Sequence, residues 1–329
     1  MTQTGNFIDG KTVDKRGLVA QDDGVIILSG RRCAMKGTKI YYVYFILSQV
    51  IWGVLPAFWL LLRQLPPLYT LASRIIWASV FCFFLILQKH LLPGLKGVAK
   101  ERWQWPYIAG ACIFITLNWG SYIYATTRGF ILQASLAYFI NPIVVVFFGG
   151  LIFREKLRPI QKLSIFVAGL GLALAFFIYG VVPWLSFIIC LTWATYSMIK
   201  KKVVLDSQVS VFIESFSMVP LALAFILFSE ANGIGAAGTF SGWQWLLLPA
   251  TGVVTAVPMM LFSAGVKGIP MTTGGILMYF SPSITLIIGV LSGEVITEPL
   301  LLTFCFAWVA VALYMYGIYQ TIHRLRQTT

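Results

Sequence analysis

The feature that most limits what this chain can become is a succession of apolar runs, each about twenty residues long, separated by short polar breaks. A helix of that length crosses the hydrocarbon core of a bilayer. Only a helix or a closed barrel satisfies its backbone there, so each run reads as a transmembrane helix. Ten spans follow: 41–62, 68–88, 106–126, 131–153, 162–180, 182–200, 209–229, 243–264, 272–292 and 299–319. Composition agrees. Of 329 residues 59% are hydrophobic and 11% charged, against about 25% charged in a soluble domain. The lipid bilayer is the first partner this sequence implies.

The net charge of +13 does not indicate a nucleic-acid binder, because the basic residues form no patch on a soluble face. They fall in alternate breaks between the runs. Of 24 lysines and arginines, only Arg63 and Arg128 occupy the opposite breaks, and Arg74 lies within a span. Positive charge marks the cytoplasmic side, so both termini, including a tail over 321–329, are expected there. Residues 1–35 hold only one short apolar stretch, Val25 to Leu28, too short for a secretory signal. They read as a disordered extension, with Met35 as an alternative start and the first span as its own uncleaved insertion signal.

The chain repeats itself. WQW occurs at Trp103–Trp105 and again, 140 residues on, at Trp243–Trp245. At nearly the same offset Trp52 matches Trp193, ATTRG ending at Gly129 matches AGVKG ending at Gly268, and YFINP ending at Pro142 matches YFSP ending at Pro282. Glu155 and Glu294 then follow the two prolines at similar spacing. The order of these matches implies two five-helix halves, 36–180 and 181–320. Five is odd, so the second half enters the membrane inverted. The fold class is therefore an all-α integral membrane protein of ten transmembrane helices in two inverted five-helix repeats. Inverted repeats are a transporter signature, with the substrate near the midplane where the halves meet.

Two other readings are weaker. Gly5 to Thr12, GNFIDGKT, matches the P-loop pattern. A P-loop needs a buried strand before it and a helix after it. Only four residues precede Gly5, and no soluble segment is long enough for a nucleotide domain, so ATP is not expected as a partner. An enzyme is not expected either. His90 and His323 fall in cytoplasmic segments, and the spans carry no HExxH, paired aspartates or nucleophile elbow. No metal and no cofactor are implied. The five cysteines, Cys33, Cys82, Cys112, Cys190 and Cys305, form no CxxC and read as small buried apolar residues.

Charges inside the spans are few, and each costs ~2.5–3.5 kcal/mol on insertion scales. Arg74 and Glu214 occupy nearly equivalent repeat positions with opposite sign. Inversion sets them at opposite depths, a gap on the order of 10 Å for a direct pair. Arg74 is a candidate for attracting an anionic group, Glu214 for carrying a proton or a cationic group. Near the midplane, Asn118 and Tyr122 are four apart on the third helix, and Tyr138 and Asn141 three apart on the fourth. Pro142, Pro258 and Pro282 are candidate helix breaks, with Pro220 a further interruption. Trp52 and Trp193 offer flat surfaces for stacking. The paired tryptophans at 103, 105, 243 and 245 read as interfacial belts. Small residues on the fifth helix (Ala168, Gly169, Gly171, Ala173, Ala175) and the tenth (Ala307, Ala310, Ala312) read as scaffold packing, and second as a homodimer seam.

NWGSYIYA, SLAYFINP, the KKK run followed by Glu214, TAVPMMLF and SGE together resemble the EamA branch of the drug/metabolite transporter superfamily, and within it the RarD group, named for chloramphenicol sensitivity. The resemblance covers roughly residues 36–320. It implies a bacterial inner-membrane permease without a bound cofactor. Helices one to four and six to nine would surround the pathway, with five and ten as scaffold. The extension, Ala137 where relatives often have Gly, and Met278 where Gln is common are departures. The expectation is a secondary transporter of a small metabolite or drug-like molecule, working by alternating access. It would draw on a proton or counter-substrate gradient, with Glu214 as the coupling candidate. A passive channel, and after it a membrane enzyme or receptor, are the alternatives.

Overall fold

A computed structural model describes residues 31–95, 101–128, 130–179, 184–291 and 298–327, with four two-residue strands before them. The strands pair as two antiparallel hairpins, Phe7–Ile8 with Lys11–Thr12 and Leu18–Val19 with Ile27–Leu28. Lys11 and Thr12 of the P-loop-like stretch therefore sit in a strand and do not open a helix. The rest of the extension before Arg31 lies outside the described residues.

The body is helical: α1 (Arg31–Trp59), α2 (Pro67–Gln88), α3 (Trp105–Thr127), α4 (Ile131–Ile152), α5 (Pro159–Tyr179), α6 (Trp184–Lys202), α7 (Ser207–Ala231), α8 (Leu247–Gly268), α9 (Met271–Leu277), α10 (Phe280–Leu291) and α11 (Glu298–Gln327). Among the described residues, eight helices are long and apolar enough to cross a membrane. The other two expected spans fall short by that measure. The described apolar stretch of α4 is Ala137–Ile152, and α6 ends on three lysines. Apolar side chains such as Phe84, Phe147, Phe166 and Leu221 are 61–73% exposed, which suits lipid and not water. Trp103, Trp105, Trp243 and Trp245 are all exposed at helix starts, where belts form.

The sequence reading is corrected at three places. The first helix begins at Arg31, ten residues before its apolar run, because no proline or turn chemistry stops it there. The fourth and eighth helices continue through Pro142 and Pro258 despite the lost backbone bond. The ninth span does break, into α9 and α10, at Met278–Tyr279. Pro282 then sits in the first turn of α10, where its missing N–H costs nothing.

Helix α2 packs along α7 and α8, α1 along α8 and α10, α4 along α6 and α9, and α3 along α6. Helices α5 and α11 pack chiefly on each other. There Ala168, Ala307 and Ala310 are buried, and Ser164 Oγ donates to the Ala310 carbonyl at 2.6 Å. The small-residue stripes are thus used within the chain. Two close crossings require glycine. A Cβ on Gly252 would lie 2.2 Å from the backbone of Trp77, and one on Gly275 2.8 Å from the Pro142 carbonyl oxygen. The core runs through Phe45, Cys82, Ile115, Val145, Tyr196 and Phe262. Cys82 and Cys190 are buried as expected, but Cys305 is exposed on an outer face.

Candidate functional site

Two charged centres lie within the helical bundle, and they are built differently. The first joins the last turns of α6 to the first turns of α7. Tyr196 and Lys200 are four apart on one helix, Ser210 and Glu214 four apart on the other, so each pair shares a face. Lys200 Nζ lies 2.7 Å from Glu214 Oε1, with the two side chains 0% and 4% exposed. Lys200 also donates to Ser210 Oγ at 2.6 Å, and the Ser210 hydroxyl donates on to Glu214 Oε1 at 2.9 Å. The Tyr196 hydroxyl donates to Glu214 Oε2 at 2.7 Å. Both carboxylate oxygens have donors and the net charge is zero. Sequence reasoning took Glu214 as an isolated charge because it counted Lys200, the last residue of the sixth span, among the cytoplasmic lysines. The helix instead runs to Lys202. The available signal was the four-residue spacing from Tyr196.

The same end of the bundle is closed by contacts between distant segments. Glu155, just after α4, accepts from the backbone N–H groups of Met271 (2.6 Å) and Thr272 (2.8 Å) and from the Thr272 hydroxyl (2.6 Å). Its carboxylate sits at the N-terminus of α9, where free N–H groups and the helix dipole favour an anion. Lys201 lies 4.0 Å from Glu155 and donates to the Ile269 carbonyl, while Lys267 donates to the Leu205 carbonyl. The Val204 N–H donates to the buried Gln104 Oε1 at 3.1 Å. The related residue Glu294 lies outside the described residues.

Mid-bundle, Trp52 and Trp193 meet at 5.4 Å between ring centroids, and Phe262 packs on them at 5.5 and 5.3 Å. Their flat surfaces are occupied by each other in this structure. Asn118 is likewise occupied: its Nδ2 donates to the Ile189 carbonyl (2.8 Å) and Thr192 Oγ1 (3.2 Å), tying α3 to α6. It therefore parts from Tyr122, with which sequence spacing had grouped it.

The second centre surrounds Arg74, two turns into α2. Its guanidinium lies 4.6 Å from the Trp119 ring centroid and 5.9 Å from that of Trp59. Its polar neighbours are Tyr122 and Tyr138, whose rings meet edge to face at 6.2 Å. Arg74 is half-buried, its Nε is buried without a hydrogen-bond partner, and among the described residues no carboxylate reaches it. Arg74 and Glu214 thus form no ion pair, as their depths implied. Tyr138 is 47% exposed although it faces these interior groups. One turn along α4, among the described residues, Asn141 reaches Met278 Sδ at 4.0 Å and its Oδ1 has no partner. Trp59 and Trp119 went unremarked in the sequence, since nothing in their spacing separates them from packing tryptophans. At the far end from Glu155, the Tyr69 hydroxyl donates to Glu230 Oε1 at 2.5 Å.

With this geometry in view, comparisons place the chain. The model of the EamA-like transporter family matches it twice, over residues 39–177 and 182–316. The chain is 38% identical to the Bacillus subtilis protein named as an uncharacterized transporter, YojE, over 85% of this chain and 95% of that one. It is 32% identical to the RarD protein of Streptomyces exfoliatus, over 84% and 88% of the two chains. It is 27% identical to RarD of Escherichia coli, over 83% and 93%. One solved structure superposes with a TM-score of 0.65 at 18% identity, over 83% of this chain and 96% of the other. That last likeness speaks to the fold alone.

Proposed function

The chain belongs to the EamA-like transporter family, within which it is a RarD-group protein, and from that premise we propose a secondary active permease. It carries a small metabolite or drug-like molecule across the bacterial inner membrane by alternating access, with both termini cytoplasmic. Ten membrane-crossing segments, with α9 and α10 counted as one, form two inverted halves. The observation that carries this reading is the exchange symmetry of the packing. Each helix of residues 36–180 has a partner five crossings later, and exchanging partners turns the α1–α8 contact into α6–α3, and α4–α6 into the contact of α9 and α10 with α1. The contacts α2–α7, α4–α9 and α5–α11 map onto themselves. The tandem family match supports the same division. Trp52 and Trp193, related by the repeat, touch where such an axis would pass.

Closure is one-sided in a way that suits alternating access. The lysine-rich end is sealed through Glu155, Lys201, Lys267 and Gln104, while Arg74 lies nearer the other end, beside the partly exposed Tyr138. Arg74, Tyr122, Tyr138 and Asn141 form the substrate pathway, above a floor made by Trp52 and Trp193. Asn118 acts as its support. The coupling candidate becomes a pair: a proton arriving on Glu214 would release Lys200, and the reverse would restore it.

The test is uptake or efflux of a metabolite panel by purified protein in proteoliposomes, with and without a pH gradient. Saturable flux that the gradient accelerates supports the permease. Flux indifferent to any gradient and non-saturating identifies a passive channel. Product formation without flux would replace both with an enzyme.

A further inference from the structure

We propose that the Arg74 centre binds an organic monocarboxylate carrying a flat, largely apolar ring. The inference rests on the permease reading and names the substrate class of its pathway.

A guanidinium is never deprotonated at ordinary pH, so Arg74 holds a positive charge inside the bundle. The two aromatic faces beside it, Trp119 and Trp59, offer cation–π attraction and no negative charge. Tyr122 and Tyr138 bring hydroxyls and no carboxylate. Glu214, the opposite charge at the related repeat position, is taken up by Lys200. The buried Nε remains a donor with nothing to donate to. A structural arginine in such a place is normally paired with a carboxylate or with carbonyls. Among the described residues this one has no carboxylate partner, and its Nε has no partner of any kind.

The count of charges sets the valence of the ligand. One guanidinium is neutralised by one negative charge. A phosphate dianion would leave the centre negative in a low-dielectric setting with no second cation at hand, since Lys200 is committed to Glu214. A carboxylate matches the planar fork of the guanidinium and takes two parallel N–H donors. The walls then describe the remainder of the molecule. Trp59, Trp119, Tyr122 and Tyr138 present ring surface and few hydrogen-bonding groups, which favours a planar apolar body over a sugar or a polyol. The unpartnered Asn141 Oδ1, one turn along α4 from Tyr138, adds an acceptor for a hydrogen-bond donor on that body.

The experiment uses the full-length protein in detergent and benzoate as probe, with benzamide as its neutral isostere and acetate as a carboxylate without a ring. Thermal unfolding is followed at increasing ligand concentration. In the wild type, benzoate is expected to raise the melting temperature saturably, with benzamide and acetate each at least tenfold weaker. Arg74→Gln is expected to weaken benzoate at least tenfold, and Arg74→Lys less. Without ligand, Arg74→Gln is expected to melt no lower than the wild type, because it removes an uncompensated charge. That second readout separates lost binding from lost folding. The proposal is overturned if benzoate gives no saturable shift, if benzamide matches it, or if Arg74→Gln binds it as well as the wild type does. Those outcomes leave the permease reading to its own flux assay. Conversely, absence of flux for compounds of any charge would overturn the permease, while saturable, Arg74-dependent benzoate binding would still establish the site.

Discussion

Removing either member of the Lys200–Glu214 pair should unfold the protein far more readily than removing both. Lys200 is fully buried and has two acceptors, Glu214 Oε1 at 2.7 Å and Ser210 Oγ at 2.6 Å. Glu214→Leu leaves that ammonium with the serine alone. Breaking a buried pair from one side costs about 3–5 kcal/mol. With ~2–4 °C of melting temperature per kcal/mol in chains of this general size, the expected fall is roughly 6–20 °C. Lys200→Met should cost less. The carboxylate it strands keeps the Ser210 and Tyr196 hydroxyls, at 2.9 and 2.7 Å, and hydrogen bonds to a charged group are each worth about 1.5–3 kcal/mol. The double variant Lys200→Met/Glu214→Leu removes both charges and replaces them with apolar volume, a change that is often neutral or stabilising. The assay is thermal unfolding of the four proteins in one detergent, followed by intrinsic fluorescence and read as a double-mutant cycle. The double variant should melt close to the wild type and should lose any gradient-driven flux. If its loss equals the sum of the single losses within about 0.5 kcal/mol, the two charges do not stabilise one another and the reasoning fails.

Glu155→Gln should weaken the junction between α4 and α9 by about 0.5–2 kcal/mol, the range of a lost helix cap; faster amide exchange at Met271 and Thr272 would register it. Gly252→Val sets a side chain against the Trp77 backbone, 2.2 Å from the new Cβ. Overpacking of this kind costs typically 1–3 kcal/mol and here more, since backbone must move, so the yield of monodisperse protein should collapse; normal yield would contradict the crossing. For the inverted topology, cysteines at the exposed positions Glu101 and Ser241, next to the two WQW motifs, should react with an impermeant maleimide from opposite sides of the membrane; labelling from one side would refute inversion.

How much of this was legible in the sequence depends on the kind of signal. Apolar runs near the thickness of a bilayer gave the helices directly, and the duplicated WQW and YF…P strings suggested two halves by their common offset of 140 residues. Boundaries were read from hydropathy alone, which is why α1 was started late and α6 was ended at Lys200, two residues short. Hydropathy puts Lys200 at the very end of a span, facing water, but its burial depends on Ser210 and Glu214 arriving from the next helix, a tertiary fact. The prolines illustrate the same limit. Pro142 and Pro258 carry an identical local defect to Pro282, yet only the ninth span breaks. Arg74 was recognisable because a charge in hydrocarbon is conspicuous wherever it falls. That Trp59 and Trp119 flank it was not, since an apolar helix places tryptophan on many faces.

The broken ninth span has a bearing on motion. α4 runs unbroken through its proline, and α9 with α10, its counterpart in the other half, turns at Met278–Tyr279. If the two are copies of one element, as proposed above, a single chain displays it continuous in one copy and broken in the other. If the halves trade shapes during the transport cycle, the difference between the two copies is a measure of the stroke, and the opposite-facing conformer is already drawn within this one.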